Sequence, residues 1–137
     1  MTYQGLVQGA RGVFFYRYCR EEDRHIQPPA LWREVQALAA EMSELAPVLV
    51  QPDHPVAKGG GAGVEVAVRE YQSDYYVFAV NVEAVPRRLD MRLDGLPPVS
   101  RVHPLHGAAA AALGAGRLSA ALEPLGTAVY RLETAGI

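Results

Sequence analysis

Gly12-Val13-Phe14-Phe15-Tyr16 is an apolar run without alternation, set between a short helix-like opening and a long amphipathic stretch that begins near Ala30. In chain order this predicts helix, buried strand, helix. A strand apolar on both faces suits a parallel sheet covered by helices on each side. Beyond residue 63 the pattern becomes all-β. One parallel strand has nothing in this chain to pair with. Two readings follow: the chain is the tail of a larger protein, or a partner completes its sheet.

Working outward, Tyr3, Leu6, Val7 and Ala10 fall at i, i+3, i+4 and i+7 and predict a short helix over residues 2–10. Gly5 and Gly9 lie four apart and read as a packing device that admits a close neighbour, since glycine in a helix costs about 1 kcal/mol against alanine. Arg11-Gly12 breaks this helix, and a strand is expected over residues 13–18. The polar loop Arg20-Glu21-Glu22-Asp23-Arg24-His25 then leads to Pro28-Pro29. In the second helix Leu31, Val35, Leu38, Met42, Leu45 and Leu49 make a sustained apolar stripe, with Arg33, Glu34, Gln36, Glu41 and Glu44 off it. Pro28 and Pro29 suit the approach to its first turn. Pro47 predicts an end near Ala46, which assigns Leu49 to the exit segment.

Residues 51–63 carry Pro52, Pro55, Lys58 and the run Gly59-Gly60-Gly61-Ala62-Gly63, a flexible loop or linker by composition. A phosphate loop is disfavoured, because Lys58 precedes the glycines and a strand follows them. From Gly63 the period is two. Val64, Val66 and Val68 alternate with Glu65, Ala67 and Arg69. Tyr71-Gln72-Ser73-Asp74 is a turn, and Tyr76, Phe78, Val80 and Val82 line one face of the next strand, completing a β-hairpin. Leu89, Met91 and Leu93 point inward between outward Arg88, Asp90 and Arg92, and Asp94-Gly95 is a turn signal. Weaker strands are expected near 99–102, 117–122 and 127–132. Gly107, Gly114 and Gly116 flank Ala108 to Ala112, which reads as an adaptable loop. Six short strands with turns between them suggest a small antiparallel sandwich. The expected fold class is α+β: a short αβα segment followed by a small antiparallel β-sandwich. The boundaries are 1–50, a linker at 51–63, and 64–137.

The 137 residues suffice for one ordinary domain or two very small ones, and a hydrophobic content of 50% permits a core. A net charge of −2 supplies no global field for nucleic acid or an anionic membrane, so neither is expected as a partner. Lys58 is the lone lysine among 13 basic residues. That is a compositional bias, with a set of bidentate oxyanion binders as the alternative. Cys19 is the single cysteine, which rules out an internal disulfide. The first residues carry no secretory signal pattern, and no apolar run approaches the roughly 20 residues of a membrane helix.

The stretch Tyr3-Gln4-Gly5-Leu6-Val7-Gln8-Gly9-Ala10-Arg11-Gly12-Val13-Phe14-Phe15-Tyr16 resembles the approach to the eighth strand of TIM-barrel glycoside hydrolases. Leu31-Trp32-Arg33-Glu34-Val35 through Leu45-Ala46-Pro47-Val48-Leu49 looks like the closing barrel helix. Val77-Phe78-Ala79-Val80-Asn81-Val82 with Pro86 is similar to the β-sandwich that follows many such barrels, and 122–132 to its last strand. The resemblance implies the last βα unit of a barrel plus a C-terminal sandwich. A complete barrel has eight strands and about 250 residues. Glycoside hydrolysis needs two carboxylates flanking the scissile bond. The resemblance places those on the fourth and seventh strands, neither of which is in this chain. Catalysis by the chain alone is therefore not expected, no catalytic residue is assigned, and Met1 reads as an internal methionine of a longer frame. The implied partners are carbohydrate, a further copy of the chain, or the missing barrel portion.

Barrel active sites form at the C-terminal ends of the strands. That end of the apolar strand carries Tyr16, Arg17, Tyr18, Arg20 and Glu21, of which Tyr16, Tyr18 and Glu21 are the candidate substrate contacts. The competing reading is packed tyrosines and solvated charges. Glu21, Glu22 and Asp23 read as a solvated run rather than an acid–base pair. His103 and His106, separated by Pro104, lack the further ligands a zinc site wants, so neither metal nor cofactor is expected. Cys19 reads as an inert thiol, and Trp32 as a core or interface anchor. Asn81, mid-strand among apolar residues, is expected to hydrogen-bond a neighbouring turn or loop.

Overall fold

The structure, a computed structural model, describes residues 2–10, 29–55 and 59–135. The expected parallel strand at 13–18 and the loop after it lie outside the described residues. Two helices, α1 (Thr2–Val7) and α2 (Pro29–Leu49), precede seven strands: β1 (Val64–Tyr71), β2 (Asp74–Asn81), β3 (Arg87–Arg92), β4 (Val99–Leu105), β5 (Ala112–Gly114), β6 (Arg117–Leu122) and β7 (Thr127–Thr134). All described strand pairs are antiparallel. The fold is α+β, and its sheets do not close into a barrel.

Helix α1 ends in a Schellman motif. The Gly9 N–H donates to the Leu6 carbonyl at 3.1 Å and the Ala10 N–H to the Gly5 carbonyl at 3.0 Å, with Gly9 at φ 106°. Gly9 therefore terminates the helix. Among the described residues no close neighbour meets the packing role expected for Gly5 and Gly9: a Cβ on Gly5 would reach only Ala10, at 4.0 Å. Helix α2 runs through Pro47 to Leu49, three residues past the expected stop. Proline in the last turn forgoes one backbone bond. Val48 and Leu49, buried beyond it, hold the turn in place.

The strands form two sheets, ordered β1-β2-β7-β4 and β3-β6-β5. Between them lies one apolar cluster: Val64, Val68, Tyr75, Val77, Tyr130 and Leu132 from the first sheet meet Leu89, Met91, Leu118 and Leu122 from the second. Leu89, Met91 and Leu93 point inward as their alternation predicts. The β1–β2 turn at Gln72-Ser73 places both residues at positive φ, 51° and 66°, matching the twist of the flanking strands. A seventh strand, β5, begins at Ala112, where an adaptable loop was expected; its three residues are exposed and carry no period.

The other face of the first sheet is covered as well. Phe78, Val80 and Val129 pack against Tyr3 and Leu6 of α1 and Leu45, Val48 and Leu49 of α2. Glu65 and Arg69, which alternate with the valines of β1, face the helices: Glu65 accepts from Gln8 and Arg69 donates to Leu6. Arg69 is 2% exposed. It donates from Nη1 to the Leu49 carbonyl at 2.6 Å, from Nη2 to the Leu6 carbonyl at 3.0 Å, and from Nε to Asp53 Oδ1 at 3.1 Å. One guanidinium thus satisfies a carbonyl in the last turn of each helix, where the helix dipole favours a cation. It also lies 5.8 Å from the Phe78 ring centroid. Asn81 meets its expectation. Its Nδ2 donates to the Val85 and Glu123 carbonyls at 2.8 and 2.9 Å, and its Oδ1 accepts from the Glu83 N–H at 2.9 Å.

The glycine segment before β1 carries specific contacts. The Gly60 carbonyl accepts from the Asp90 N–H at 2.9 Å and the Gly63 carbonyl from the Val82 N–H at 3.0 Å, tying both sheets to this stretch. A Cβ on Gly60 would lie 2.5 Å from Val66 Cγ1 and 2.9 Å from Val64 Cγ1.

Candidate functional site

Tyr16, Tyr18 and Glu21 lie outside the described residues, as does Cys19. The described residues assemble a different candidate. Register sets Arg69, Tyr76, Arg131 and His103 side by side across β1, β2, β7 and β4. The neighbouring row, Ala67, Phe78, Val129 and Leu105, is apolar and lies under the helices. The helix-facing side of this sheet therefore divides into a dry half and a polar half.

At the boundary between those halves is a cleft of about 410 Å³, enclosed by the last turns of α2, the start of the β1–β2 turn, and the Tyr76–Arg131 row. That volume lies within the range of small-ligand sites. Tyr71 and Tyr76 line it, both half-buried, and neither hydroxyl has a hydrogen-bond partner among the described residues. Arg131 also lines it. Its Nε is buried and makes no hydrogen bond among the described residues, with Asp74 Oδ2 at 3.6 Å. Across the opening His106 Nε2 stands 3.4 Å from Glu44 Oε2 on α2. Pro47, on the same wall, joins the helix to the cleft.

His103 and His106 do not converge. His103 Nε2 lies 2.8 Å from Glu133 Oε2, while His106 faces Glu44. The bond to His103 is the main cause holding the exposed Glu133 carboxyl below the ordinary carboxylate range. Among the described residues no three His, Cys, Asp or Glu side chains gather as a metal site. No described helix is long and apolar enough to cross a membrane. Trp32 is 60% exposed, so it is not a core anchor. Burial raises the phenols of Tyr3, Tyr75 and Tyr130. Tyr3 also donates to Glu41 Oε2 at 2.6 Å, pinning α1 to α2.

In sequence Tyr71 falls in a turn pattern and Tyr76 on a strand face, and nothing along the chain marks Arg131. Their convergence depends on strand register across residues 55 positions apart. Pattern along the chain carries no such signal.

Neither a protein-family profile nor a curated protein sequence matches this chain. Solved structures do. An alpha-amylase from Geobacillus thermoleovorans, complexed with acarbose, matches 80% of this chain and 24% of its own, at 16% identity and a TM-score of 0.64. An Anoxybacillus alpha-amylase matches 83% of this chain and 25% of its own, at 14% identity and a TM-score of 0.63. AmyP in complex with maltose matches 76% of this chain and 22% of its own, at 12% identity and a TM-score of 0.59. The fold is that of part of these glycoside hydrolase structures, and the chain spans about a quarter or less of their length. Residues from 64 onward make up little more than half of this chain, so matches of this extent reach beyond the sheets into the residues before them.

Proposed function

We propose that this chain is the C-terminal part of a glycoside-hydrolase-like, carbohydrate-active protein and has no catalytic activity on its own. In this reading residues 1–50 supply the last βα unit of a TIM barrel, 51–63 the linker and 64–137 the sandwich. Tyr16, Tyr18 and Glu21 would then stand at the active-site end of the eighth strand as substrate contacts. The observation that carries the reading is the extent of the match: the alpha-amylase likeness covers 80% and more of the chain, which is more than the sheets alone supply. The chemistry agrees, since a lone βα unit brings no pair of carboxylates on opposite sides of a glycosidic bond.

The test is turnover by the isolated chain on a broad panel of glycosides. None is expected. Robust hydrolysis that disappears in Glu21→Gln would overturn the assignment of inactivity.

A second reading is a non-catalytic carbohydrate-binding or assembly module completed by a partner chain. The exposure of Trp32 favours it, with Val35 and Leu38 half-buried on the same helix. Exposed apolar faces of this kind mark interfaces. Size-exclusion chromatography with light scattering distinguishes a partner-completed chain from a self-sufficient monomer.

A further inference from the structure

We infer that the cleft between α2 and the Tyr76–Arg131 row binds a neutral sugar ring, at a site separate from the proposed strand-end contacts Tyr16, Tyr18 and Glu21. Three polar groups around it have no hydrogen-bond partner among the described residues: the Tyr71 hydroxyl, the Tyr76 hydroxyl and Arg131 Nε. Of these only Arg131 Nε is buried, and a buried donor is normally satisfied; together with two water-accessible phenol hydroxyls on the same opening it marks a place for an external partner with several hydroxyls.

Charge narrows the class. Arg131 is the one fixed positive charge on the cleft wall and faces Asp74 at 3.6 Å, while Glu44 stands 3.4 Å from His106 on the other side. The cleft offers no unbalanced positive field to a phosphate or a uronate. What remains is two phenol rings, one guanidinium donor and a polar His–Glu rim on an apolar floor. A pyranose fits that combination, with its C–H faces against the rings and its hydroxyls at the donors. The choice of a sugar over another neutral polyol rests on the glycoside-hydrolase reading above; the cleft's chemistry does not.

The experiment is an amide-resolved NMR titration of the full chain with maltotriose and xylotriose. Galacturonate serves as the anionic probe and myo-inositol as the non-sugar polyol. Saturable shifts at Tyr71, Tyr76, Arg131 and His106 are expected with at least one trisaccharide, with a dissociation constant on the order of 1 mM. Tyr71→Phe combined with Tyr76→Phe keeps both rings and removes both hydroxyls, and should weaken binding by about tenfold. Arg131→Gln should do the same while the spectrum stays dispersed.

No saturable shift with either trisaccharide, or unchanged affinity in these variants, overturns the site. Tighter binding of galacturonate overturns the neutral class, and binding of myo-inositol alone overturns the sugar assignment. Hydrolysis by the isolated chain would sink the inactive-fragment reading without moving these shifts.

Discussion

At the scale of single residues, the polar side chain with most at stake is Arg69. Replacing it with methionine keeps the packed stem and removes the donors to the Leu6 and Leu49 carbonyls. Asp53 is half exposed and can turn to water. The loss therefore comes mainly from two buried carbonyls, and unfolding in urea should show about 2–4 kcal/mol of destabilisation. Arg92 is the control. Its contact with Asp94 is 4.0 Å long and both side chains are at least 70% exposed, so Arg92→Ala should stay within about 0.5 kcal/mol. Asn81→Leu should cost on the order of 2–3 kcal/mol by the same assay, since three backbone groups lose their partner. Asn81 was legible in the sequence because an amide among valines has to be satisfied. Arg69 was not. Alternation sorts a strand into two faces, but only the helix layer, which arrives from residues far upstream, decides that both faces of β1 are covered. The Tyr71–Tyr76–Arg131 cleft was hidden for the same reason, being assembled by register and not by spacing.

At the scale of elements, local rules and tertiary packing compete, and magnitudes decide between them. Pro47 in a helix interior costs about 3 kcal/mol against alanine. Burying Val48 and Leu49 stabilises by about 1.5–3 kcal/mol each, which offsets it and carries α2 on to Leu49. Pro47→Ala should therefore leave the helix boundary in place and raise stability by about 1–3 kcal/mol in urea melts. A helix that shortened, or a loss of stability, would contradict this account. Gly60 works in the opposite sense. A methyl group there would stand 2.5 Å from Val66 Cγ1, against β-branched side chains that cannot swing aside. Gly60→Ala should cost about 1–3 kcal/mol, with amide shifts concentrated where β1 meets β3. Strands β1, β2, β3 and β6 were readable because period-two alternation outweighs everything else there. Strand β5 was not, since three exposed residues have no period to detect.

At the scale of the whole molecule, the two apolar layers set the response to pH and the bare end of α2 sets the response to partners. Tyr3, Tyr75 and Tyr130 lie in these layers, and burial raises each phenol above its ordinary value of 10.0. Their contribution is complete below pH 10 and is lost above it, because the unfolded chain ionises first. Melting temperature should fall as pH rises past that point, and Tyr3→Phe should flatten the fall. Among the described residues, contact with these layers runs along α2 from Leu49 back to Leu38. Leu45, Val48 and Leu49 are buried, whereas Trp32 at the other end is 60% exposed. Trp32 is also the single tryptophan, so its fluorescence reports that end alone. In dilute solution its emission should be that of a solvent-exposed indole, open to iodide quenching. If the bare stripe is an interface, raising the concentration or adding the rest of a barrel should shift that emission to the blue and protect it. Trp32→Glu should abolish the change while altering unfolding stability by no more than about 0.5 kcal/mol, since the side chain is not in either layer. A monomer at every concentration, with Trp32 quenchable whatever is added, would count against completion by a partner and would leave the sandwich as the unit that acts.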